Sequence, residues 1–186
     1  EKIKILYLTD KVTFGGTPLQ MIELISHLQP DEFIARLVAL SAVHAALRKR
    51  VLAMRMPVEE IGCGNWTQPA ALPAVVRLFR TIKAMRPHIV HAYLTTGNVL
   101  GAVLGKCAGV PWVITSHRDL GGFDGKWITI ANRWTDRFFA DVVTVNSFAV
   151  KQAVLERAKL ANKRFEVLYN GIDSAKITDA HTARKR

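Results

Sequence analysis

The sequence predicts an α/β fold built on a doubly wound, mainly parallel sheet with helices on both faces. Two observations predict it. Short apolar runs rich in β-branched and aromatic residues alternate strictly with longer stretches of helical period. A helical stretch separates each strand from the next, so the strands join by right-handed crossovers and run parallel. Hydrophobic residues make up 49% of the 186, enough to bury such a sheet on both sides.

The elements follow in order. The first strand is Ile3–Leu8. A loop, Thr9 to Gly16, leads to a helix over Pro18–Leu28. Thr17 fits its N-cap, Pro18 its first helical position, and Gln20 completes a capping box. Met21, Leu24, Ile25 and Leu28 recur at i, i+3, i+4 and i+7, one apolar stripe for the sheet. Strand Ile34–Leu40, helix Ala45–Met54, strand Val58–Ile61 and helix Ala71–Met85 come next. His88–Tyr93 feeds helix Gly97–Ala108, and Trp112–Ser116 feeds helix Lys126–Phe139. In that helix Trp127, Ile130, Ala131, Trp134 and Phe138 share one face. We read the two tryptophans as core anchors rather than a base-stacking platform. Val142–Val145, Phe148–Ala158 and Phe165–Leu168 complete the series, which is Rossmann-like. Asn170-Gly171 is a turn signal. Residues 174–186 are polar, lack a period and end in Arg184-Lys185-Arg186. The expected division is a domain over 1–173 and a truncated linker or tail over 174–186.

Composition narrows the function classes. No apolar run reaches the ~18 residues of a membrane-spanning helix, and Glu1 to Ile5 carries no signal-peptide pattern. The expected location is cytoplasmic, including the inner membrane face as a peripheral protein. Cys63 and Cys107 lack C-x-x-C spacing and read as reduced packing residues. Lys plus Arg exceed Asp plus Glu by 26 to 15, a formal charge of +11 that attracts polyanions. Arg48, Lys49, Arg50 and Arg55 punctuate one helix. Arg77, Arg80, Lys83 and Arg86 recur at three-residue steps on another. The plain reading is a solvated face. The sharper one is a cationic patch meeting an anionic membrane surface, with Trp66, Leu72 and Phe79 as anchors. No recognition motif accompanies the charge, so no nucleic-acid partner is expected.

Candidate chemistry gathers where strands end. In an open parallel sheet, ligands bind beyond the carboxyl ends of the strands. Gly15-Gly16 lies there, before a helix whose N-terminus favours an anion. The pair belongs to neither G-x-G-x-x-G nor a P-loop, and the plain alternative is a flexible turn. His117 lies just past a buried strand, where an imidazole can donate a hydrogen bond or change charge near neutral pH. Its alternative is a satisfied structural histidine, and Arg118 with Asp119 can form a local ion pair of little value. His88 and His91, three apart in a strand, face opposite sides and cannot share a metal. No H-E-x-x-H or Cys/His cluster exists, and no metal site is expected. His91 and Tyr93 share one face, for packing or for substrate. No G-x-S-x-G elbow is present.

Four stretches together resemble the N-terminal domain of GT-B fold retaining glycosyltransferases of family 4. They are Lys2 to Asp10 with Gly15-Gly16, Arg86 to Gly101, Gly109 to Asp119, and Ala140 to Ser147 through Val167 to Asp173. They stand in the family's order. The resemblance implies transfer of a sugar from a nucleotide-sugar, a substrate rather than a cofactor, with retention and without a protein-bound metal. The acceptor is a glycan or is lipid-linked, as in polysaccharide biosynthesis. It implies that Gly15 and Gly16 approach the donor diphosphate and that His117 acts on the transferred sugar. His91, Tyr93, Asn98, Arg118 and Asp119 become the acceptor-side candidates. The donor-gripping second half of such enzymes is expected to be missing, which would leave the isolated chain inactive. After Gly16 the chain departs from many members, with Thr-Pro-Leu where they carry a polar or charged residue. Only backbone groups are then expected to reach the donor from this helix start. The alternatives are another GT-B enzyme, such as a sugar-nucleotide epimerase, and a non-catalytic binding module.

Overall fold

The structure is a computed structural model, and it describes residues 1–120, 125–158 and 163–171. The predicted tail over 174–186 lies outside the described residues. The first half holds β1 (Ile3–Thr9), α1 (Gly16–Ser26), β2 (Phe33–Ala39), α2 (Ala45–Ala53), β3 (Val58–Glu60) and α3 (Leu72–Met85). The second holds β4 (Ile89–Tyr93), α4 (Thr95–Cys107), β5 (Trp112–His117), α5 (Lys126–Phe138), β6 (Val142–Val145), α6 (Phe148–Ala158) and β7 (Phe165–Val167). The strands form one sheet in the order β3-β2-β1-β4-β5-β6-β7. Every pair is parallel. The order reverses between β1 and β4, and the carboxyl ends of those two strands flank the switch point where such sheets bind ligands.

Both faces of the sheet are buried, so the centres of its strands are largely apolar. β1 sends Leu6 and Leu8 to one side, where Leu78 and Ile82 of α3 and Leu100 and Ala102 of α4 cover them. It sends Ile5 and Tyr7 to the other, under Met21, Ile22 and Ile25 of α1 and Leu47 and Val51 of α2. This is the period-2 alternation of a strand feeding two cores.

Helix α4 packs against the sheet through Gly101, where no side chain fits. A Cβ built at Gly101 would sit 2.8 Å from the Ala92 Cβ and 3.0 Å from the Leu8 Cδ2. The Ala92 Cβ is rigidly attached to its strand, so only movement of the whole helix relieves the contact. Gly101→Ala should therefore destabilise the fold by about 1–3 kcal/mol, read as a lower denaturant midpoint.

Two local expectations are corrected. The capping box around Thr17 does not form. Helix α1 already begins at Gly16, Gly15 takes the N-cap, and no side chain caps it. Val12 pairs with the loop after β2, donating to the Ala42 carbonyl and accepting from the His44 N–H, each at 2.8 Å. That anchorage brings the chain into helical geometry before Thr17. The buried stripe accordingly runs Pro18, Met21, Ile22, Ile25, and Leu24 is exposed.

The second correction concerns α5. Its apolar stripe points to solvent: Trp127 is 84% exposed, Trp134 58%, Phe138 57% and Ile130 45%. The buried side is polar and consists of Asn132, Thr135 and Asp136. The strand end beneath explains it. There β5 presents Thr115 and His117, whose polar atoms need partners, and Asp136 supplies them.

Candidate functional site

The site is built at the carboxyl edge of the sheet, from the ends of β1, β4 and β5 and the helices that follow. Asp10, one residue beyond β1, reaches across the switch point to the start of α4. Its carboxylate accepts from the Thr96 N–H at 3.2 Å and from the Gly97 N–H. It thus caps a helix 86 residues away in sequence. Leu94, the residue before that helix, has φ 64° and ψ 173°, a region almost reserved for glycine. Strain of this kind clusters at active sites and ligand clamps.

Beside it opens a small cleft with a volume of about 60 Å³. Leu94, Asn98 and the run Ser116 to Asp119 form one wall. Asn132, Arg133 and Asp136 of α5 form another, and Arg157 of α6 adds to the rim. His117 ends β5, and its Nε2 donates to Asp136 Oδ2 at 2.9 Å. The other oxygen of Asp136 accepts from the Thr115 hydroxyl at 2.8 Å. Burial alone would lower the His117 pKa, but the Asp136 carboxylate outweighs it and holds the pKa above the ordinary histidine value. The carboxylate also fixes the ring, leaving Nδ1 as the remaining polar atom of the imidazole.

The other predicted residues divide. Asn98 lines the cleft, and its amide clamps β5 by donating to the Ser116 carbonyl at 3.0 Å and accepting from the Ser116 N–H at 3.1 Å. Arg118 lies 5.3 Å over the Tyr93 ring and donates to Asn170 Oδ1 at 2.9 Å. Asp119 is exposed on the cleft wall. His91 and Tyr93, the other acceptor-side candidates, lie beneath the cleft. Both are buried beside Tyr7, and His91 Nε2 is 2.8 Å from the Ser116 hydroxyl. Neither lines the cleft. Burial, aided by the Arg118 charge, pushes the His91 pKa down to about 3 and keeps it neutral.

Gly15 and Gly16 are also outside this cleft. A Cβ at Gly16 would meet nothing within 4 Å, and one at Gly15 only the Pro18 Cδ at 3.8 Å. Gly15 is extended, a conformation any residue adopts. Neither crowding by the chain itself nor a left-handed backbone requires glycine here.

Sequence reasoning missed Asp136, Asp10, Arg133 and Arg157. A signal for Asp136 was present: Asn132, Thr135 and Asp136 stand at i, i+3 and i+4, a polar stripe opposite the apolar one. Cationic groups dominate the cleft. Arg118, Arg133 and Arg157 outnumber the two carboxylates that line it, Asp119 and Asp136. Two lining side chains hold buried atoms without a protein partner, Asn132 Oδ1 and Arg118 Nε. The arrangement suits an anionic ligand rich in hydroxyl groups. Among the described residues, no group of three His, Cys, Asp or Glu is placed to hold a metal. No described helix is long and apolar enough to cross a membrane.

The profile of Glycosyltransferase Family 4 matches residues 14–176. No curated protein matches significantly. Among solved structures, Anabaena HepE in complex with UDP superposes with a TM-score of 0.75 at 20% identity, covering 98% of this chain and 50% of that one. The lipopolysaccharide outer core galactosyltransferase WaaB gives 0.67 at 15% identity, covering 92% and 46%. A UDP-N-acetylglucosamine 2-epimerase gives 0.65 at 19% identity, covering 91% and 49%. The chain thus spans about half the length of these proteins.

Proposed function

The chain belongs to glycosyltransferase family 4, and from that premise we propose that it forms the acceptor-side half of a retaining enzyme that moves a sugar from a nucleotide-sugar to a glycan or lipid-linked acceptor. The observation that carries the proposal is His117, fixed by Asp136 at the mouth of a cationic cleft on the carboxyl edge. A sugar leaving its diphosphate develops positive charge. An imidazole paired with a carboxylate is neutral when protonated and negative when not, so the pair does not repel that charge. Its free Nδ1 is available to a sugar hydroxyl.

The donor reading draws on HepE, which was solved with UDP. It also draws on Gly15 and Gly16, glycines that nothing inside the chain demands. Open space over an uncapped helix start leaves room for a diphosphate to meet backbone N–H groups. The acceptor contacts fall to Asn98, Arg118 and Asp119. We place His91 and Tyr93 behind them as supports. The remaining donor contacts belong to a second domain, so the isolated chain should show no transfer.

His117→Gln in the full-length enzyme tests the reading. Glutamine can still donate to Asp136 but cannot titrate or accept as the imidazole does. Turnover of nucleotide-sugar should fall by about 100-fold or more, with stability held within about 1 kcal/mol. Equal losses of stability and turnover would return His117 to a structural role. The epimerase neighbour gives a second reading its observation. An epimerised nucleotide-sugar formed without any acceptor would favour it.

A further inference from the structure

Helix α5 is amphipathic in the reverse sense, with its polar side on the protein and its apolar side on solvent. Trp127, Ile130, Trp134 and Phe138 recur at three- and four-residue steps and form a continuous exposed stripe. The Trp134 and Phe138 rings stack with centroids 5.1 Å apart. Arg133 and Arg137 are exposed along one flank, and the Arg137 guanidinium lies 5.5 Å over the Phe138 ring. The one acidic residue of this helix, Asp136, is buried against Thr115 and His117. The outward face therefore carries aromatic rings and arginines and no carboxylate. An apolar stripe of this size is costly to leave in water unless something covers it.

We propose that α5 docks this domain on an anionic lipid bilayer, its aromatic stripe in the headgroup region and Arg133 and Arg137 among the lipid phosphates. Charge selects this occupant. A second copy would meet the stripe about a two-fold axis, setting the same arginines against each other on a helix that presents no acid of its own. A lipid surface supplies the missing negative charge. Tryptophan and arginine are the side chains that settle at that depth, one by its amphipathic ring and the other by extending its charge to water. The formal +11 of the chain adds attraction of the same sign. The surface differs from the cationic face of α3. There Trp66 packs into the core, and Arg77 is tied to Glu59 at 3.3 Å. Arg133 also lines the cleft, so docking would hold the cleft mouth beside the lipid. Docking itself does not depend on the transferase reading, since it is measured without turnover.

The test uses the 186-residue chain with phosphatidylcholine vesicles, pure or containing about one-third phosphatidylglycerol. Co-sedimentation measures partitioning, and quenching of tryptophan fluorescence by brominated acyl chains reports insertion. The wild-type chain should bind the anionic vesicles and be quenched by shallow bromines. Trp127→Ala, Trp134→Ala and Phe138→Ala together should weaken binding by about 30-fold or more. Arg133→Glu with Arg137→Glu should weaken it by about tenfold or more. Arg77→Ala with Arg80→Ala should change it little. All substituted positions are exposed, and circular dichroism confirms that each variant is folded. Absent wild-type binding, or unchanged binding of the triple variant, overturns the proposal. So does loss confined to the α3 variant. A concentration-dependent dimer abolished by the triple variant, without vesicle binding, would assign the stripe to a second copy instead.

Discussion

Asp136→Ala should destabilise the folded domain by about 3 kcal/mol and strip His117 of its raised pKa. Asp136 is 1% exposed and holds two partners, Thr115 and His117. Its removal strands the fully buried Thr115 hydroxyl and leaves an imidazole without a counter-charge. An orphaned buried hydroxyl and a broken charge-assisted bond together account for a loss of that size. Asp136→Asn separates charge from shape. In that variant burial acts alone, and the His117 pKa should drop below the ordinary histidine value. The direction of pH dependence then reverses. With Asp136 present the folded pKa is raised, so the pair's stabilisation is full below the unfolded pKa and fades as pH climbs through the folded one. With asparagine the contribution from His117 diminishes as pH falls. Proton NMR of the imidazole, with urea titrations across neutral pH, reads both effects. An unmoved His117 titration in the asparagine variant would show that Asp136 does not govern it.

His91 governs the second large effect, and its sign is opposite. Its folded pKa is about 3 against an ordinary 6.5. The unfolded chain therefore takes up this proton several pH units before the folded one does. Stability falls as pH drops below the unfolded value and levels off only near the folded one. At about pH 5 the loss from His91 alone should reach about 2 kcal/mol relative to neutrality. His91→Phe keeps an aromatic ring between Tyr7 and Tyr93 but removes the titration. It should lower stability at neutral pH by about 1 kcal/mol, through the lost contact to Ser116, and flatten the acid limb. An acid limb as steep in the variant as in the wild type would reassign that loss to other groups.

Most of the fold was legible because a parallel sheet covered on both faces writes itself into sequence. Strand centres such as Ile5–Leu8 and Leu37–Ala39 must be apolar on both sides, and helical periods must fill the gaps between strands. The position of His117 at the end of a buried strand was legible for the same reason. Helix α5 was legible as a helix and illegible in its orientation. Periodicity reveals that one side is apolar, but the direction of the protein is decided by what lies beneath. There it was a threonine and a histidine in need of a carboxylate, 21 and 19 residues distant. Asp10 escaped notice likewise, because the N–H groups it caps lie 86 and 87 residues along the chain. Glycine at 15 and 16 was read correctly as a pair at the carboxyl edge. Its place as the start of α1 was not, because the anchorage of Val12 to a neighbouring loop leaves no trace in local sequence.

The bond from Asp10 to α4 has a consequence for how a ligand is met. The loop that ends in the glycine pair is stapled to a helix on the far side of the strand reversal, and Val12 staples it again to the loop after β2. It cannot swing without undoing a helix cap. The glycine wall is thus preorganised: the entropy of ordering it was surrendered during folding and need not be surrendered again at each encounter.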